Sequence, residues 1–182
     1  MCCAIIQCEH FEVPFRRHAW WLLPELLAIA VLAAGLTYTR PAGLQQQLAD
    51  RVETILERIS PAEHHSHGHE VSQADHIICA AEPFGIEPKT AKRIEEVHTI
   101  YAYYLCAAGE PGTEWDFSSR ISGPVVVTLT EPAAVRIAES GAGYPDRVRA
   151  MIPDELEAKA FAGFSDPGRP AALRARYEDE VA

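Results

Sequence analysis

Positive charge is in short supply in this chain. Its 182 residues hold 16 Lys and Arg against 26 Asp and Glu, a formal net charge of −10, with a pI near 5.2. Unselective binding of polyanions needs clustered basic side chains, so that class of function is excluded for the chain as a whole. An even, regularly spaced set of cysteines is lacking too. There are five: Cys2, Cys3 and Cys8 crowd the start, and Cys79 and Cys106 lie in the middle. An odd count without even spacing argues against a secreted disulfide framework and predicts reduced thiols; only an extracytoplasmic compartment would join Cys79 to Cys106. Long unbroken elements are scarce, because 13 Pro and 11 Gly cut the chain into short pieces and exclude one long coiled coil. Catalytic signatures are absent as well: there is no G-x-S-x-G elbow, no H-E-x-x-H, no Gly-rich phosphate loop and no dinucleotide fingerprint. Ser118 and Ser119 lie near Asp116, but nothing positions a base beside them. What is present is ordinary globular usage, 48% apolar and 23% charged, which excludes wholesale disorder.

The most apolar stretch is Ala19–Leu36, AWWLLPELLAIAVLAAGL, interrupted only by Pro24, Glu25 and Gly35. As a helix it would be about 27 Å long, and Thr37–Thr39 would extend it toward a hydrocarbon core of about 30 Å. Arg16, Arg17 and His18 precede it, Trp20 and Trp21 would form one interfacial belt, and Tyr38 and Arg40 close the other side. That arrangement predicts a single membrane span over residues 19–40 following a tail at 1–18. A buried core helix and a cleaved signal peptide are the rival readings, and a buried or cytoplasmic fate is the alternative localisation. Basic residues on both flanks leave the orientation open.

After Pro41-Ala42-Gly43, Leu44, Leu48, Val52, Ile55, Leu56 and Ile59 recur at spacings of three and four. This predicts an amphipathic helical stem over 41–60, with an apolar stripe suited either to self-association into a homo-oligomer or to packing on the chain's own domain. Residues 61–71 form a His-rich linker in which His64, His65, His67 and His69 are candidate ligands for Zn or Ni. Beyond it, Ser72 as an N-cap predicts a helix through Ala81, Pro88 opens a long helix closed by Gly109, and Pro124–Thr130 is the one convincing strand. A lone strand cannot make a sheet, so an unrecognised partner strand, another protomer or burial as an extended segment is required. Short helices follow at Glu131–Ser140, Asp146–Ala150 and Pro153–Ala162, and residues 165–182 read as a charged tail.

Within the domain at 72–164, residues 77–94, IICAAEPFGIEPKTAKRI, resemble the helix-turn-helix of bacterial DNA-binding regulators. Ala81, Phe84, Gly85, Ile86, Thr90, Ala91 and Ile94 fall on the pattern's small, apolar and turn positions. The resemblance implies that Glu87, Lys89, Thr90, Lys92 and Arg93 face a major groove.

Together these features predict a mainly α fold: a spanning helix, a helical stem and a small helical domain with one or two short strands. The expected function is a non-enzymatic, membrane-anchored interaction or regulatory protein. A helix-turn-helix transcriptional regulator is the alternative, and metal binding through the His-rich loop the third reading.

Overall fold

A computed structural model describes residues 43–59, 72 and 75–182. Among them the dominant element is one antiparallel sheet of four strands in sequence order: β1 (His76–Glu87), β2 (Thr99–Gly109), β3 (Ser119–Thr128) and β4 (Ala134–Ile137). Helix α1 (Leu44–Arg58) precedes the sheet. Helices α2 (Tyr144–Met151), α3 (Glu157–Ala162) and α4 (Gly168–Glu180) follow it.

The sheet is covered on both faces, and the two-residue period of the strands assigns each side chain to one of them. Cys79 and Ala81 of β1, Ile100, Ala102, Tyr104 and Cys106 of β2, and Val125 and Val127 of β3 meet Leu48, Val52 and Leu56 of α1 in one core. The alternate residues face the C-terminal helices. Ile78, Ala80 and Ala107 pack under Leu173, Tyr177 and Val181, while Tyr101 and Val126 pack under Val148, Ile152 and Ala160. Leu48, Val52 and Leu56 are fully buried, each contributing about 1.5–3 kcal/mol of transfer free energy. Alanines at 80, 81, 102, 107 and 108 supply small surfaces that let helices approach from both sides.

The mainly helical expectation is therefore corrected to a mixed α/β fold. Strands stand where helices are predicted: β1 (His76–Glu87) overlaps the end of 72–81, and β2 (Thr99–Gly109) takes up the second half of 88–109 after a turn and a short 3-10 helix at Ile94–Glu96. The reason is that strands buried on both faces carry near-continuous apolar runs in which alternation is hidden. The predicted helix at Glu131–Ser140 contains β4, where exposure alternates residue by residue. Residues 165–182 are no solvated tail, since α4 buries Leu173 and Tyr177. The strand read at Pro124–Thr130 lies largely within β3, and β2 is the partner it required. The stem helix is present as α1. Its stripe lies on the sheet of the same chain, with Leu44, Ile55 and Ile59 partly buried against that core, so Leu48 and Val52 have no surface left for a second protomer.

The predicted span at 19–40 lies outside the described residues. No described helix is long and apolar enough to cross a membrane, and the single-pass assignment is corrected on that finding. The reduced-thiol expectation changes as well for one pair: Cys79 and Cys106, directly opposite on β1 and β2, form a disulfide with Cα atoms 4.1 Å apart.

Candidate functional site

The residues proposed to read DNA do not share a helix. Glu87 ends β1 and accepts the Tyr101 hydroxyl proton at 2.8 Å. Lys89 pairs with Glu155 at 2.5 Å, and Thr90 is exposed on the turn after β1. Lys92 donates its backbone N–H to Glu96 at 2.9 Å, and Arg93 forks onto the same carboxylate. Gly85 lies inside β1 at a register shift rather than between helices; a Cβ there would run into the Leu156 side chain. The helix-turn-helix reading is corrected accordingly, because the segment holds a strand and a turn with no second helix to enter a groove. His64, His65, His67 and His69 lie outside the described residues. Among the described residues no three His, Cys, Asp or Glu are placed to hold an ion, and metal binding is not carried further. Ser118 closes a turn by donating its hydroxyl to the Trp115 carbonyl at 2.7 Å.

The edges of the sheet are where the chain's polar chemistry is concentrated. An edge strand exposes alternate N–H and C=O groups that invite pairing with another chain. On β1 those groups are taken by side chains from the helices on either face. Glu57 of α1 accepts the Cys79 N–H at 2.9 Å, and Glu53 accepts the Ala81 N–H at 2.9 Å. From α4, Arg169 donates to the Ala81 carbonyl at 2.8 Å and Arg176 to that of Cys79 at 3.4 Å. Arg176 also pairs with Glu57 at 2.6 Å and Glu180 at 2.9 Å. One residue further along, the Glu82 carboxylate accepts the backbone N–H groups of Ser165 and Asp166 at 3.1–3.2 Å, tying the approach to α4 onto β1. A cleft of about 320 Å³ borders this cluster, but its Glu53, Arg169 and Arg176 are engaged in closing the edge.

Burial raises the Glu53 pKa above the ordinary carboxylate value, opposed by the Ala81 N–H and by Arg176 and reinforced by Asp50 and Glu57. The folded state therefore holds this proton more tightly than the unfolded chain does. Stability falls as pH rises through the window that opens at the ordinary carboxylate value and ends at the raised one, and the penalty is complete above it. Glu53→Gln keeps an acceptor for the Ala81 N–H without the charge. Its stability relative to wild type is expected to improve as pH rises from 4 to 7, by paired thermal melts; a gap that is constant or shrinks over that range would refute the assignment.

The opposite edge consists of β4 and, beyond its end, the first half of β3, and that stretch of β3 is treated differently. Since Cys79 and Ala81 point their backbone groups outward from β1, antiparallel alternation sends the outward groups of β3 through its even-numbered residues. Pro124, with no N–H to offer, occupies one of these outward positions, as an edge allows. β4 pairs only with Val125–Thr128. The N–H and C=O groups of Arg120 and Ser122 accordingly have no partner strand among the described residues. Beside them runs a cleft of about 370 Å³ between Ser119–Gly123 and a wall formed by Ile137, Ala138, Ser140 and Tyr144. Arg147 holds that wall by donating to the carbonyls of Glu139, Ser140 and Ala142 at 2.7–3.1 Å. The Arg120 guanidinium lies 5.1 Å over the Trp115 ring, which itself packs edge-on against Tyr177.

Sequence reading placed the start of β3 at Pro124 and so missed its first five residues. The signal was there in Pro124 itself: a proline inside a β-branched run marks an edge. No family model, curated protein or solved structure matches this chain.

Proposed function

We propose that the chain is a non-enzymatic interaction module that accepts an extended peptide from another protein as an added strand on the free edge of β3. The observation carrying this reading is the asymmetry of the two edges. On β1 four backbone groups are covered by two carboxylates and two guanidinium groups, whereas on β3 the groups of Arg120 and Ser122 face an open cleft. Strand addition draws affinity from main-chain hydrogen bonds and specificity from the side chains that flank them. The cleft supplies both, a row of donors and acceptors on one side and a braced wall on the other.

Panning the full chain against a library of random peptides is expected to select segments that alternate in polarity. Ser122→Pro removes one outward N–H that no ladder bond uses, and Ile121 before it is already extended, as a residue preceding proline must be. The variant should keep the wild-type melting temperature and bind the selected peptides at least about tenfold more weakly, through loss of a hydrogen bond and a clash with the incoming strand. Methylating alternate backbone nitrogens of the peptide should weaken binding to wild type in the same way. Selected peptides that tolerate both changes would rule out the added strand.

A further inference from the structure

Resting on the strand-addition reading above, we infer that the peptide accepted at the β3 edge carries an internal acidic side chain facing Arg120, flanked by apolar residues. Three observations support this choice. First, Arg120 is the one charged residue lining the cleft among the described residues, a cation in a chain of net charge −10. Second, it has no carboxylate partner among the described residues. Its guanidinium is exposed and held in place by the Trp115 face and a 3.3 Å bond to the Trp115 carbonyl. Arg93, Arg149, Arg174 and Arg176 pair with acids, and Arg147 and Arg169 are taken up by backbone carbonyls. Third, the register fixes which peptide residue meets it. Arg120 directs its backbone groups at the added strand, so the residue opposite is a hydrogen-bonded pair with its side chain on the same face. Opposite charges at such positions attract and like charges repel. One residue further along, the peptide side chain falls on the other face beside Ile121, which packs against the apolar core under α1, and there an aliphatic group fits.

A second copy of this chain is the weaker occupant. Pairing β3 with itself at Arg120 sets two arginines opposite each other. Slipping the register by two sets Arg120 opposite Ser122 and leaves the two arginines as diagonal neighbours on one face, about 7–8 Å apart, where like charges still repel. Slipping it by four sets Arg120 opposite Pro124, which offers no N–H.

The test uses the full chain and two blocked peptides of alternating threonine and valine, one with a central glutamate and one with lysine there. Fluorescence anisotropy at low salt should show the glutamate peptide binding about tenfold tighter to wild type. The preference should reverse in Arg120→Glu, and both peptides should be lost from Ser122→Pro. Equal binding of the two peptides, still sensitive to Ser122→Pro, overturns the acidic partner while leaving strand addition in place. Binding of either peptide that ignores Ser122→Pro overturns strand addition itself. A free C-terminal carboxylate outcompeting the internal glutamate, in an Arg120-dependent manner, overturns the internal acid. So does failure of both blocked peptides to bind a chain that still retains library-selected ones. Sedimentation that shows a dimer abolished by Ser122→Pro would replace the peptide by a second copy.

Discussion

Replacing Cys79 and Cys106 together by alanine is expected to destabilise the described domain by roughly 3–4 kcal/mol, the chain-entropy value for a loop of this size. The disulfide closes 27 residues, and both half-cystines are buried in the core under α1. For a domain of this size the loss corresponds to a fall in Tm of roughly 10–15 °C. The pair sits at a position where β1 and β2 do not exchange backbone bonds, the closely spaced kind of antiparallel pair. Cys79 is thus held from both sides, by Cys106 through its side chain and by Glu57 and Arg176 through its outward backbone groups. Melts of the double variant in oxidising buffer, and of wild type with and without a strong reductant, check this. Coincidence of the variant and oxidised wild-type curves within about 2 °C would mean that the bond carries no stability. With both sulfurs buried, reduction of the folded protein should be slow until the domain opens, which a time course of thiol alkylation follows.

The helices legible in the sequence share one property: each has one face in the core and one toward solvent. The middle of β3, buried on both faces, is legible instead through its unbroken β-branched run Val125–Val127. Helix α1 follows from the spacing of Leu44, Leu48, Val52 and Leu56, and α2 and α3 from the segments after Gly143 and Pro153. β1 and β2 were hidden because helices cover both of their faces. IICAA and TIYAYYLCAA then lose the alternation that marks a half-buried strand, and their alanines and leucine favour a helical reading on propensity. The same compression produced the helix-turn-helix resemblance, in which Ala81, Gly85 and Ile86 match a corner but occupy a bulged strand. In α4 the apolar positions Leu173, Tyr177 and Val181 recur every four residues, a stripe legible in principle but diluted by the charges around it. The candidate site was less legible still. An open edge is a statement about what a strand does not pair with, and no single residue encodes that; Pro124 came nearest.

Removing the two carboxylates that seal β1 should convert the closed edge into an open one. Glu53→Ala combined with Glu57→Ala leaves the Cys79 and Ala81 N–H groups without acceptors. An unsatisfied buried donor costs about 1–3 kcal/mol, and water reaching the adjoining cleft offsets part of it, so a total near 3 kcal/mol is expected. The Glu57–Arg176 ion pair adds little to this, because the Arg176 side chain is 36% exposed and its attraction is screened. The second consequence is the more diagnostic one. With its donors free, β1 becomes a template for another strand, and the double variant should self-associate at concentrations where wild type does not, as sedimentation velocity would show. Glu53→Gln combined with Glu57→Gln retains both acceptors and should stay as wild type in sedimentation despite losing the same two charges. If the glutamine pair associates as readily as the alanine pair, charge repulsion rather than hydrogen bonding keeps the β1 edge closed. The contrast with β3 would then rest on electrostatics, and the free edge would have to be compared with β1 on net charge instead of on unpaired backbone groups.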